Sequence, residues 1–157
     1  FGDAMENLNR YHLVQVIHEI VEKGTPFLGI CLGLQILFER SEESPGVEGL
    51  GLLKGEILRI PDKEGLKIPH MGWNSIHLQN EGRLFKGIPQ ESYVYFVHSY
   101  YLKAEEEEII KATTEYSTHI HASVEKGNLF ACQFHPEKSS DLGLAILKNF
   151  AEIGEED

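Results

Sequence analysis

Two short stretches of this chain carry side chains that could act on a carbonyl carbon. Gly29-Ile30-Cys31-Leu32-Gly33-Leu34-Gln35 sets one thiol between two glycines, and Gln133-Phe134-His135-Pro136-Glu137-Lys138 sets an imidazole two residues from a carboxylate. A thiolate attacks an acyl carbon, and an imidazole moves the proton between sulfur and leaving group. A carboxylate on the second ring nitrogen keeps that imidazole in the useful tautomer. The two stretches lie 104 residues apart (135 minus 31), so only the fold can bring them together.

The elements that must position these groups can be read from the flanking residues. Phe27, Leu28 and Ile30 after Pro26 form a short apolar run that reads as a buried strand, and Leu32 to Arg40 reads as an amphipathic helix. Cys31 falls at the turn between them, in the manner of a nucleophile elbow built with Cys in place of Ser. Gly29 and Gly33 would let the backbone turn sharply and pack closely. A thiol at a helix N-terminus is expected to favour thiolate, and the Leu32 amide would face an oxyanion. The alternative is a plain strand-to-helix turn around a buried cysteine. At the second stretch, Pro136 pushes His135 toward extended backbone, so His135 and Glu137 are expected on one side of a strand end. The same alternation sends Cys132 to the opposite face, into the core.

Composition limits the partners. At 157 residues and 41% hydrophobic content the chain is long enough for one domain with a real core. Fourteen Lys and Arg against twenty-five Asp and Glu leave a net charge of -11, which speaks against nucleic acid or an anionic membrane surface as partner. No apolar run is long enough to span a membrane and no signal peptide is evident. Two cysteines far apart suggest reduced thiols and a cytoplasmic setting.

Along the chain, Met5 to Lys23 reads as one helix with an apolar stripe at 13, 14, 17, 20 and 21, closed by Gly24. Ser41 to Leu50 has loop composition. Leu52 to Ile60 and Asn74 to Leu78 read as short strands, Tyr93 to Leu102 as one strong strand, and Ile109 to Tyr116 as another. Ile120 to Glu125 pairs with Leu129 to His135 as a hairpin across Lys126-Gly127-Asn128. A last helix from Ser139 or Ser140 buries Leu142, Ile146, Leu147, Phe150 and Ile153. Between strands, Pro69-His70-Met71-Gly72-Trp73-Asn74 holds the only Trp; by composition a core Trp is favoured over an interface. His119 and His121 share a strand face, but without a third ligand of matching context they read as surface residues, and no metal or cofactor is expected.

Gly29-Ile30-Cys31-Leu32-Gly33-Leu34-Gln35 and Gln133-Phe134-His135-Pro136-Glu137 resemble the nucleophile and base signatures of the triad-type, class I glutamine amidotransferases. Pro69 to Asn74, Phe96-Val97-His98-Ser99-Tyr100 and Lys138-Ser139-Ser140 resemble the branch that supplies glutaminase subunits to imidazole glycerol phosphate synthase, in histidine biosynthesis. The resemblance implies an α/β, flavodoxin-like mixed sheet flanked by helices. It also implies hydrolysis of glutamine to glutamate and ammonia by Cys31, His135 and Glu137. Leu32, Gly33, Gln35, Glu43 and Ser99 would serve the oxyanion and the substrate. Pro69, His70, Met71, Gly72, Trp73, Asn74, Tyr95 and Lys138 would dock on a (β/α)8-barrel synthase/cyclase subunit, as a heterodimer; for Trp73 this reverses the preference drawn from composition. Rival expectations are the glutaminase of another class I amidotransferase and a non-catalytic docking subunit.

By the same resemblance the domain over residues 1–157 is N-terminally incomplete, lacking early strands and a turn that supplies the second oxyanion donor. Loss of one such donor typically costs about 10²–10³ in rate. The chain by itself is therefore expected to be unstable or nearly inactive.

Overall fold

The computed structural model describes residues 1–79 and 82–155. Two helices open the chain, α1 (Gly2–Arg10) and α2 (Leu13–Glu22), where the sequence suggested one. On a continuous helix Leu8 and Ile17 would sit nine residues apart, about two and a half turns, and face opposite ways. His12 breaks the run in the left-handed region at φ 57°, and Leu8, Val14, Ile17 and Val21 then pack against the same core. At the end of α2, Thr25 N–H bonds to Ile20 O and Gly24 N–H to Val21 O, with Gly24 at φ +80°. This is the glycine-closed helix end expected from the sequence.

Strand β1 (Phe27–Ile30) leads through Cys31 into α3, which is only Leu32–Gln35 rather than a helix to Arg40. The reason lies in the following loop. Leu50 N–H takes Ile36 O, Leu53 N–H takes Leu37 O and Gly51 N–H takes Phe38 O, so these carbonyls are claimed before a helix can use them. After β2 (Arg40–Ser41) come β3 (Gly55–Arg59), β4 (His70–Leu78), β5 (Ser92–His98), β6 (Tyr100–Ala104), β7 (Ile110–Tyr116), β8 (Thr118–Lys126), β9 (Leu129–Cys132) and α4 (Ser140–Glu155).

The strands form a six-stranded sheet in the order β1-β9-β8-β7-β4-β5 and a three-stranded sheet β2-β3-β6. β1 runs parallel to β9, and the other pairs of the larger sheet are antiparallel. This is the mixed α/β architecture expected. The stretch Tyr93 to Leu102 is not one strand. His98 pairs with His70 in the large sheet and Tyr100 with Arg59 in the small one, so the chain changes sheets at Ser99.

Both faces of β9 are buried, as a strand covered on two sides requires. Leu129 and Ala131 join the core made by α1, α2 and α3, while Phe130 and Cys132 join the core under α4 with Val94, Phe96 and Phe134. β9 ends at Cys132, three residues short of the expected strand, and Pro136–Lys138 forms a 3-10 turn. Helix α4 lies close over that turn: a Cβ on Gly143 would stand 1.9 Å from Pro136 O.

Candidate active site

Cys31 is held at φ 55°, ψ -107°, a conformation an L-residue rarely adopts. Its N–H is fixed to Cys132 O at 2.8 Å, and its carbonyl accepts Leu34 N–H and Gln35 N–H. The strand end on one side and the first helical turn on the other thus hold the residue in an elbow, as the Gly-Ile-Cys-Leu-Gly spacing suggested. Gly29 is needed for it, since a Cβ there would lie 2.6 Å from Gly33 O. Gly33 is not needed for packing: a Cβ there meets nothing within 4 Å.

The thiol donates to Val97 O at 3.8 Å and accepts from Gln133 Nε2 at 3.5 Å. Burial pushes its pKa up, outweighing the donors on the sulfur, the Leu32 amide and the Gln133 side chain; nearby Glu137 adds to the rise. This corrects the expectation of a thiolate favoured by a helix N-terminus. A four-residue helix sums few peptide dipoles, and desolvation of the anion is the larger effect.

His135 Nδ1 lies 2.8 Å from Glu137 Oε1. The carboxylate only accepts, so Nδ1 carries a proton, and in the neutral ring Nε2 is then the acceptor. The pair forms across the 3-10 turn rather than by strand alternation. Two further bonds hold the ring's backbone: His135 N–H to Tyr95 O at 2.9 Å and Ser139 Oγ–H to His135 O at 2.6 Å. Cys132 is fully buried, its thiol pushed far above the ordinary range, in agreement with a core role.

An open pocket of ≈ 250 Å³ has Cys31, Leu32, Gln35, Glu43 and Ser99 on its walls, together with Phe1, Val97, His98 and Tyr100. Five residues predicted for substrate or nucleophile therefore meet in one cleft. His135 is not on that wall. Gln35 is buried, and its Nε2 donates to Tyr100 O and Gln133 Oε1, each at 3.1 Å. Glu43 Oε1 is 2.6 Å from the Phe1 nitrogen.

Sequence reasoning passed over Gln133 and His98 as site residues. Gln133 is fully buried among apolar neighbours at the end of β9, and its signal was a polar side chain inside the run Leu129 to Phe134. His98 Nδ1 bonds to Tyr100 O at 2.8 Å, and its Nε2 lies 3.0 Å from His70 Nδ1. Burial lowers both rings to about 4, so both are neutral near pH 7. The carbonyl can only accept, which makes His98 Nδ1 a donor and Nε2 the acceptor for His70 Nδ1–H. His70 Nε2 is then free to accept from Asn74 Nδ2 at 3.3 Å.

The segment expected to dock is split by strand alternation. Met71 and Trp73 are 62% and 51% exposed, and Pro69 and Lys138 are also exposed. Trp73 meets Tyr95 edge-on, ring centres 6.0 Å apart. His70 points the other way, buried between Phe96 and Tyr116, with Gly72 and Asn74 half-buried. Trp73 is thus not a core residue, which overturns the preference drawn from composition. His119 faces Glu115, while His121 accepts Ala104 N–H at 3.0 Å and is partly buried, so only the first is the surface residue expected.

The family model described as glutamine amidotransferase class-I matches residues 4–153. Among curated proteins, the chain is 54% identical to the imidazole glycerol phosphate synthase subunit HisH of Moorella thermoacetica over 98% of its own length and 72% of that protein's. It is 50% identical to the HisH subunit of Methanocaldococcus jannaschii (98% and 76% covered) and 49% identical to that of Bacillus subtilis (99% and 75%). In fold it is similar to a glutamine amidotransferase from Thermotoga maritima, with TM-score 0.63 at 21% identity, covering 99% of this chain and 59% of that one. A second solved glutamine amidotransferase gives TM-score 0.68 at 19% identity, covering 94% and 71%.

Proposed function

We propose, since this chain belongs to the class I glutamine amidotransferase family and to its branch of imidazole glycerol phosphate synthase HisH subunits, that Cys31, His135 and Glu137 are the triad of its glutamine hydrolysis. The observation that carries this reading is the joint presence of a strained elbow cysteine on the wall of a pocket and a His–Glu pair with its proton already on Nδ1. In the reaction His135 Nε2 takes the Cys31 proton, and the sulfur adds to the side-chain amide carbon of glutamine. The oxyanion is met by the Leu32 amide, with Gly33 beside it. As the C–N bond breaks, His135 returns its proton to the leaving nitrogen and ammonia departs. Water, giving its proton to His135, then opens the thioester; the C–S bond breaks, glutamate leaves and the thiol is restored. Glu137 holds the ring throughout.

Gln35, Glu43 and Ser99 bind the substrate from the shared pocket wall, Glu43 through the ammonium group and Ser99 through the carboxylate. Residues 1–157 belong to one glutaminase domain. Met71 and Trp73, with Tyr95, Lys138 and Pro69, form the docking face for a (β/α)8-barrel synthase/cyclase subunit in a cytoplasmic heterodimer that receives the ammonia. His70, Gly72 and Asn74 support that face from within. Among the described residues no helix is long and apolar enough to cross a membrane.

The test is glutamate release from glutamine by this chain, with and without the synthase subunit and its phosphorylated ligand. Partner-dependent release that Cys31→Ala abolishes is the expected result. Undiminished release by Cys31→Ala would overturn the triad.

A further inference from the structure

The hydrogen bonds behind Cys31 have a direction. The Tyr100 carbonyl can only accept, and it receives Gln35 Nε2 at 3.1 Å and His98 Nδ1 at 2.8 Å. Because Nε2 of Gln35 is thereby the donor, its other N–H meets an acceptor, Oε1 of Gln133, also at 3.1 Å. The Gln133 amide then has only one way to lie. Its oxygen faces Gln35 and its NH₂ faces the Cys31 sulfur, 3.5 Å away. Turning either amide over would set two donors or two acceptors against one another in a region where Gln35 and Gln133 are both buried.

We infer that Gln133 is a further catalytic residue: an amide donor aimed at the Cys31 sulfur, its orientation set from the Tyr100 carbonyl through Gln35. The inference rests on the reading of Cys31 as the nucleophile. A donor on sulfur is stronger toward S⁻ than toward S–H, so it stabilises the attacking form selectively. Its value is greatest where the anion is most penalised, and this sulfur sits in a mostly buried elbow. The bond also restricts the sulfur to one side of the elbow, between Gln133 and Val97 O. Gln35 therefore has two tasks, one as a wall of the substrate pocket and one as the link that orients Gln133.

Gln133→Glu is the informative substitution, because it keeps size and shape. The carboxylate still accepts from Gln35 but presents an acceptor to the sulfur in place of a donor. The experiment uses the full-length protein assembled with its synthase subunit and measures the rate of iodoacetamide alkylation against pH. Cys31→Ala serves as the blank for any reaction at Cys132. Alkylation of Cys31 at pH 7.5 is expected to slow by about tenfold or more, its titration moving to higher pH. In steady state kcat should fall by a similar factor while KM for glutamine stays within about twofold.

Gln133→Met, which fills similar space and neither donates nor carries charge, gives a second route should the buried carboxylate prevent folding, and should move the titration in the same direction. Alkylation profiles of both variants coinciding with the parent would overturn the inference. So would a loss confined to KM. Alkylation needs no turnover, so this outcome is separate from the failure of the nucleophile reading, which would appear as glutaminase activity surviving Cys31→Ala.

Discussion

His135 and Glu137 show how much a single residue's surroundings decide. Glu137 is 44% exposed, and a carboxylate in contact with water stabilises an imidazolium less than a buried one does. Glu137→Gln is accordingly expected to lower kcat by about 10- to 100-fold, well below the roughly 10⁴-fold known for a buried triad carboxylate, whereas His135→Asn should leave about a thousandth of the activity or less. Steady-state kinetics of the two variants side by side check the order; a Glu137 effect as large as that of His135 would contradict it.

The neutral rings make a second prediction at this scale. His70, His98 and His121 are each lowered to about 4 from 6.5, so the unfolded chain binds protons that the folded chain refuses. Their contribution to stability is full above pH 6.5 and is lost as pH falls toward 4, each tenfold difference in proton affinity being worth about 1.4 kcal/mol. Imidazole NMR should find His98 still neutral at pH 5.5, with Nδ1 protonated and Nε2 bare. The elbow at Cys31 and the pairing of His135 with Glu137 were legible from residue type and spacing. The raised Cys31 pKa was not, because desolvation depends on what the fold packs around the sulfur.

Among the elements, the elbow and the 3-10 turn hold the proposed triad, and each depends on a glycine. Gly29→Ala puts a methyl against Gly33 O, and Gly143→Ala puts one against Pro136 O, both backbone atoms that cannot swing aside. Each substitution should cost about 1–3 kcal/mol. Gly33→Ala, with open space around its Cβ, should cost far less; thermal denaturation of the three variants tests the contrast, and equal losses would refute it. The sequence located β1, the β8–β9 hairpin and α4 within a few residues, since their apolar periodicity is local. It missed the break at His12, the early end of α3 and the sheet change at Ser99. Those boundaries are set by phase between helices, by carbonyls taken by residues 50–53, and by pairing with β3, which are properties of contacts far along the chain.

For the molecule as a whole, the proposed docking face and the proposed base meet at β5. Tyr95 packs on Trp73 at the surface, and its backbone bonds to His135 N–H and to Ser139 Oγ. Large apolar rings held at half exposure and lying at the centre of an interface commonly carry its affinity. Trp73→Ala is therefore expected to weaken association with the synthase subunit by roughly 10- to 100-fold while leaving the thermal midpoint of the isolated chain nearly unchanged, as calorimetric titration and melting would record.

The central claim is that Cys31 is the nucleophile of a glutaminase. Its most direct test is mass spectrometry of the assembled protein after exposure to an electrophilic glutamine analogue. The account predicts a single adduct on Cys31, formed faster than on a free thiol, slowed by excess glutamine and by His135→Asn, and absent from Cys31→Ala. An adduct on another residue, or labelling of Cys31 no faster than a free thiol, would contradict it.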